Sequence, residues 1–300
     1  MAMIKEILAL KKERQATILA HNYQTAEVQD VADLVGDSLE LSRAAANLDS
    51  KVIIFCGVDF MAETAAILSP EKRVIQPAIG AWCPMAHMIT PEQLREMKSL
   101  YPEAAVVAYV NTTAEVKAEC DICCTSANGV QVVNSLEQEQ VIFVPDRNLA
   151  AYVQRYTDKK IIPWNGYCYV HDRFTPEEVH AARAVHPQAE VLVHPECRPD
   201  VIDAADFVFS TSGMGRHAPA SPAKEFIIGT EMGMIYRLKK DNPDKEFYPL
   251  SVNAVCKNMK KTNLEDVLRA LRTLEPHVTV LEEIADRARR SIERMLAVKT

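Results

Sequence analysis

The chain has 300 residues, 48% of them hydrophobic and 25% charged, a balance that excludes intrinsic disorder and leaves ample length to bury a core without disulfide staples. With 34 Lys and Arg against 41 Asp and Glu the net charge is −7, which argues against a nucleic-acid backbone as the main partner.

From the N-terminus, Met1 to Gln15 carries charges where an export signal would be apolar; it reads as a helix over Met3 to Arg14 leading into a strand, Thr17 to His21. Later apolar runs, such as Val52 to Cys56 and Val106 to Val110, are strand-sized and far short of the roughly 20 residues that cross a bilayer. A cytoplasmic location is therefore expected. In a reducing compartment the eight cysteines, Cys56, Cys83, Cys120, Cys123, Cys124, Cys168, Cys197 and Cys256, are expected as thiols, metal ligands or catalytic groups rather than disulfides.

The chain repeats itself. Thr25-Ala-Glu-Val28 recurs as Thr113-Ala-Glu-Val116, and at the same offset of 88 residues Ile53-Ile-Phe55 falls on Val141-Ile-Phe143. A third copy shows in its helix start: Thr175-Pro-Glu-Glu-Val, leading to Pro187, matches Thr90-Pro-Glu-Gln-Leu, leading to Pro102. Both starts carry a capping box with Pro at the first helical position. The third copy continues in the strands Glu190 to His194, Asp206 to Ser210 and Phe226 to Gly229. Short β-branched runs alternating with amphipathic stretches predict parallel βαβ units. The predicted class is α/β, with three similar small α/β/α domains around a pseudo-threefold axis and the active site at its centre. The expected divisions are 1–86, 87–172 and 173–262, with 263–300 packing back on the first domain. Asn263 to Leu274 opens a fourth, incomplete round, and a final helix over Leu281 to Val298 is expected to close the ring.

Ligands of open parallel sheets bind outside the carboxyl ends of the strands. The first strand of each copy ends in polar residues: His21-Asn22-Tyr23, Tyr109-Val110-Asn111 and His194-Pro195-Glu196. The second strands end near Asp37-Ser38, Thr125-Ser126 and Ser210-Thr211, each ahead of a predicted helix. Any one such hydroxyl reads as a helix cap, but recurrence at matched positions points to a converging anion site. The last strand of each copy ends in a cysteine, Cys83, Cys168 and Cys256, at separations of 85 and 88 residues. One thiol per domain suits zinc, or three irons of a [4Fe–4S] cluster whose remaining iron stays open to substrate as a Lewis acid.

Two other patterns compete. Cys120-Asp-Ile-Cys123, followed by Cys124, has CxxC spacing but falls inside a predicted strand, where alternate side chains face opposite ways. Gly213-Met-Gly215-Arg-His-Ala218 fits a loose dinucleotide pattern with Glu231 as the ribose acid, yet Pro219 and Pro222 are expected to interrupt the helix it needs.

The set His21-Asn-Tyr-Gln24, Cys83-Pro-Met85, Tyr109-Val-Asn111, Thr125-Ser-Ala-Asn128, Gly166-x-Cys168-x-Val-His171, His194-Pro-Glu196 and Cys256-x-Asn-Met-Lys260 resembles the quinolinate synthase family over nearly the whole chain. That resemblance implies condensation of iminoaspartate with dihydroxyacetone phosphate to quinolinate, phosphate and water in de novo NAD synthesis. It also implies a [4Fe–4S] cluster on Cys83, Cys168 and Cys256, with iminoaspartate supplied by an L-aspartate oxidase or dehydrogenase. Substrate contacts carry over onto His21, Ser38, Tyr109, Val110, Asn111, Ser126, His194, Pro195, Glu196 and Thr211, and Tyr23, Glu196 and His194 are the expected proton-transfer group. The same thiols would also serve a zinc hydrolyase, and a non-catalytic small-anion binding protein would use them only to clasp domains together. Cys120 and Cys123 lie outside the family pattern, and there is no C-terminal CxxC.

Overall fold

The computed structural model describes residues 2–299. A single order of elements is played three times. The first unit runs α1 (Ala2–Glu13), β1 (Ala16–His21), α2 (Ala26–Val31), β2 (Leu34–Gly36), α3 (Ser38–Asn47), β3 (Val52–Cys56), α4 (Asp59–Leu68) and β4 (Arg73–Ile75). The second runs α5 (Pro91–Leu100), β5 (Ala105–Tyr109), α6 (Ala114–Lys117), β6 (Ile122–Cys124), α7 (Gly129–Asn134), β7 (Gln140–Val144), α8 (Arg147–Gln154) and β8 (Lys160–Pro163). The third runs α9 (Pro176–Val185), β9 (Glu190–Val193), α10 (Pro199–Ala204), β10 (Phe207–Val208), α11 (Thr211–Ala220), β11 (Glu225–Gly229), α12 (Gly233–Asp241) and β12 (Glu246–Pro249). Then come α13 (Leu264–Thr273) and α14 (Glu282–Ala297). Each unit forms a four-stranded parallel sheet in which the first strand lies between the second and third: β2-β1-β3-β4, β6-β5-β7-β8 and β10-β9-β11-β12.

The repetition extends to single atoms. Before each short edge strand stands an aspartate, Asp33, Asp121 or Asp206, whose carboxylate accepts the N–H of Ile18, Val106 or Val191 at 2.8, 2.7 and 2.8 Å. The backbone N–H of the same aspartate donates to that residue's carbonyl. Each edge strand is thus anchored by a reciprocal pair of hydrogen bonds, which two or three residues of ladder would not supply. The leading helices α1, α5 and α9 each bury one side chain fully, Ile7, Leu94 and Val179. The capping boxes at Thr90 and Thr175 form as their sequences predict, each with Pro in the first turn.

The first two units share one core, reaching from Leu19 and Phe55 through Val107 and Phe143 to Ile292 and Met295 of α14. The third sheet has separate clusters on its two faces, around Val191 and Phe226. α13 packs on α1, whereas α14 lies in the seam against β6, α6 and α4, so the closing helix seats on the second unit as well as the first. Ser291 on α14 explains this seat: its hydroxyl donates to the Lys117 carbonyl at 3.0 Å and lies 3.3 Å from Cys123 Sγ.

Two sequence readings are corrected here. Cys120 lies in the turn before β6 rather than in the strand, its thiol donating to the Val116 carbonyl at 3.0 Å. Pro219 does not interrupt its helix. It sits within the last turn of α11, where its ring removes only one late hydrogen bond, so Gly213 is already inside the helix instead of in a phosphate-binding turn.

Candidate active site

The carboxyl ends of the three sheets enclose a small cavity of about 40 Å³. Nine expected residues line it, namely His21, Tyr23, Ser38, Tyr109, Asn111, Ser126, His194, Glu196 and Thr211. Asp37 and Thr125, named above as second-strand ends, line it too, as does Met259 of the Cys256-x-Asn-Met-Lys260 motif; Met61 joins them, and nothing in its local sequence marks it as facing another unit. Val110 stands behind the wall, its N–H donating to the Cys124 carbonyl at 2.9 Å. Pro195 faces a separate outer cleft of about 320 Å³, which borders Ser126 and has Arg216 as its one charged lining residue. The outer cleft has no acid or imidazole among its lining residues, and the inner cavity has both.

None of the three hydroxyls of Ser38, Ser126 and Thr211 caps its helix. Asp37 caps α3 with a full capping box to Glu40, and Ser210 caps α11, leaving Ser38 and Thr211 as first helical residues. Asn128 takes the cap position of α7, two residues beyond Ser126, without a capping bond from its side chain. The bland reading of these three hydroxyls as helix caps is therefore replaced: the caps stand beside them. Asn111 Oδ1 and Asn128 Nδ2 are buried without a protein partner, which is costly unless a ligand or water pairs with them.

His21 and His194 occupy matched positions and share one device. The N–H two residues on, from Tyr23 or Glu196, donates to Nδ1 of each ring, at 3.1 and 3.3 Å. A nitrogen that accepts cannot carry a proton, so both rings are Nε2–H tautomers. Burial, only partly opposed by Glu196, lowers both to about 3. They are neutral donors at neutral pH.

Between 6.5 and about 3 the unfolded chain binds protons at these two sites that the folded chain does not. Stability from them is complete above the unfolded value and drains away as pH falls. The thermal midpoint is thus expected to drop on acidification through this window, more steeply than in His21→Gln at equal metal content. Parallel profiles would count against the assignment.

Glu196 is buried and ionised. Burial opposes its charge, but His171 and His194 outweigh that and hold it at about 2. His171 Nδ1 lies 2.6 Å from Glu196 Oε2 and 3.2 Å from Cys168 Sγ. Its Nε2 is 2.8 Å from Thr230 Oγ1, which is 2.6 Å from the Tyr23 hydroxyl. A hydrogen-bonded chain therefore joins Tyr23 to Glu196, the two expected proton-transfer residues, through His171 and Thr230. Burial and the Glu196 charge raise Tyr23 well above the ordinary phenol value, making it a neutral donor and not a base. His171 was visible three residues after Cys168; Thr230 carried no signal in sequence. Glu196 Oε1 is buried without a partner.

Cys168 touches this chain through His171, and Cys83 and Cys256 lie within electrostatic range of it. Cys83 and Cys256 perturb Cys168, and burial pushes all three thiols up. Such a trio would lose its protons to a positive metal centre rather than to water. The backbone three residues on from each sulfur, at Ala86, His171 or Met259, partly opposes that rise. The Cys83 N–H donates to Asp59 Oδ1 at 2.9 Å and the Cys256 N–H to Glu231 Oε1 at 3.0 Å, so an acid at a helix start holds each loop. Glu231 also pairs with Lys260 at 3.0 Å, which fills the role the dinucleotide reading would have given it. Among the described residues, Cys168, His171 and Glu196 are drawn within 4.8 Å of one another, and the three cysteines are not. A single zinc with bonds of about 2.3 Å needs sulfurs about 3.8 Å apart, so the trio fits a larger metal group better.

Gly233, at the start of α12, lets the third unit approach the first. A Cβ there would lie 2.8 Å from the Tyr23 backbone and from Lys260 Nζ, while Lys260 also donates to the Tyr23 carbonyl. Gly233→Ala is expected to destabilise the fold by about 1–3 kcal/mol, seen as a lower thermal midpoint; an unchanged midpoint would show that this approach is loose.

The family model described as quinolinate synthetase A protein matches residues 5–297. Curated proteins named quinolinate synthase are similar over nearly the full length. One from Methanoregula boonei is 61% identical over 294 residues, covering 98% of this chain and 97% of its own. Others from Dehalococcoides mccartyi and Thermodesulfovibrio yellowstonii are 57% and 55% identical, each covering 98% of this chain and 97% and 98% of their own. Among the described residues no helix is long and apolar enough to cross a membrane.

Proposed function

The chain belongs to the quinolinate synthase family, and from that premise we propose that it condenses iminoaspartate with dihydroxyacetone phosphate, releasing quinolinate, inorganic phosphate and two waters. The observation that carries this reading is the cavity itself, where the three units together contribute hydroxyls, imidazoles and one unpaired carboxylate oxygen around a single space at the carboxyl ends of their sheets.

Ser38, Ser126 and Thr211 hold the carboxylates and phosphate, since hydroxyls beside helix starts favour anionic oxygens. Asn111 Oδ1, a pure acceptor, meets an N–H or O–H of the substrate. His21 and His194 present Nε2–H to oxygens that gain charge during bond formation. Glu196 Oε1 takes a proton from carbon or nitrogen, and Tyr23, through Thr230 and His171, returns protons to departing oxygens. Tyr109, beside Glu196, helps fix the carboxylate.

Cys83, Cys168 and Cys256 would hold a [4Fe–4S] cluster, and an iron without a protein thiolate would supply Lewis acidity toward a hydroxyl or carboxylate of the bound intermediate. The three units are divided at 86/87, 172/173 and 262/263. Iminoaspartate is unstable in water and would come from an L-aspartate oxidase or dehydrogenase. The deciding experiment is anaerobic purification with iron and sulfide quantification alongside a quinolinate assay. Brown protein making quinolinate supports the proposal; colourless zinc protein, or folded protein making none, refutes it.

A further inference from the structure

Asn22 ends the loop-ward side of β1, is wholly buried, and reaches across to the third unit. Its Nδ2 donates to Thr211 Oγ1 at 2.7 Å, while its Oδ1 accepts from Nη1 of Arg237, on α12, at 2.6 Å. A guanidinium can only donate, so the amide oxygen must face Arg237 and the amide nitrogen must face Thr211; the flipped amide would set donor against donor. Both ends of this arrangement are anchored. Arg237 Nη1 also donates to the Val35 carbonyl at 2.6 Å, and the Asn22 backbone bonds the Gly36 carbonyl at 3.0 Å and Gln29 Nε2 at 3.1 Å.

A hydroxyl that accepts from an amide keeps its own hydrogen to give. Thr211 lines the cavity, so that hydrogen is available to a ligand there. Thr125 in the second unit shows the contrast. Its hydroxyl donates to Asn128 Oδ1 at 3.1 Å and accepts from the Ala127 N–H at 3.2 Å, so it is spent within the protein. We propose that Asn22, oriented by Arg237, is a positioning residue that fixes Thr211 as a hydrogen-bond donor to an anionic oxygen of the ligand. This deepens the reading of Thr211 as an anion-holding residue and rests on it. The pair selects a carboxylate or phosphate oxygen and discriminates against any group that needs an acceptor at that point.

The test is equilibrium binding of quinolinate to the anaerobically purified, metal-loaded enzyme. Thr211→Val is expected to weaken binding about 10- to 100-fold, the loss of one hydrogen bond to a charged group, and Thr211→Ser to keep it. Asn22→Asp keeps the shape but can only accept, drawing the Thr211 hydrogen to itself; it is expected to show the same loss and a raised KM with kcat changed far less. The double variant Asn22→Asp with Thr211→Val is expected to be no worse than either single one. If Asn22→Asp adds its full loss in the Thr211→Val background, the added charge acts directly on the ligand and the proposal fails. Normal binding by Asn22→Asp with weakened Thr211→Val overturns the proposal alone. Normal binding by Thr211→Val overturns the anion-holding role and the proposal with it. Should Asn22→Asp not fold, Arg237→Met frees the amide to rotate. A smaller weakening restored by Arg237→Lys supports the proposal, and unchanged binding in Arg237→Met overturns it.

Discussion

Glu196→Gln is expected to cut quinolinate formation by about 10²- to 10⁴-fold, the usual contribution of a positioned general base. The substitution keeps the side chain's shape, and an amide oxygen can still accept from His171 Nδ1, now 2.6 Å from the carboxylate. What disappears is basicity. The wild-type carboxylate is ionised throughout the neutral range because its pKa is held at about 2, and its Oε1 is unpaired, whereas Asp37, the other carboxylate on the cavity, already accepts from the Leu39 and Glu40 N–H groups and the Ser210 hydroxyl. Because the fold holds this carboxylate below its ordinary value, its charge is net stabilised in place, so the thermal midpoint at neutral pH should fall modestly while the chain still folds. Anaerobic assays beside a melting curve separate the two effects. Turnover within a fewfold of wild type would show that another group takes the proton.

Cys83→Ser is expected to fold normally, to lose bound iron and sulfide, and to form no quinolinate. The Cys83 loop is held by its N–H to Asp59 Oδ1, a bond that serine retains, and the residue is only partly buried. A serine oxygen is a harder and more basic ligand than a thiolate and suits iron–sulfur ligation poorly. Metal analysis, visible absorption and circular dichroism distinguish the outcomes. A chain that unfolds on this substitution would make the thiols a structural clasp, as in the binding-protein reading. A folded chain with full metal and activity would remove Cys83 from the ligand set.

The repeat was legible because two copies run without gaps. Thr25 and Thr113 open equivalent helices, and the three late cysteines keep nearly constant spacing, so equivalent points could be compared without any coordinates. Capping boxes at Thr90 and Thr175 were equally readable, since a cap is a contact between residues three apart. Harder to see were contacts whose partners share no register. The aspartates Asp33, Asp121 and Asp206 recur too, yet one acid among 41 is not conspicuous until its carboxylate is seen on a strand N–H. Cys120 and Cys123 looked like a redox or zinc pair, but Cys123 faces Ser291 of α14, a partner 168 residues away. Pro219 misled for another reason: near a helix end a proline removes one bond, and the turn survives that loss.

Local chemistry therefore decided a great deal by itself: the α/β class, the threefold repetition, the three late thiols, and the strand-end residues, eleven of which line the cavity. Those features depend on period, spacing and neighbours along the chain, all of which a linear text preserves. The tertiary structure alone decided which proton goes where. That His21 and His194 are neutral Nε2–H donors, that Thr230 and His171 link Tyr23 to Glu196, and that Asn22 leaves the Thr211 hydrogen available to a ligand in the cavity all depend on hydrogen bonds and burial. Several of these bonds cross between units. A hydrogen bond between groups about 200 residues apart leaves no period to detect, and desolvation exists only once the three sheets have closed around the site.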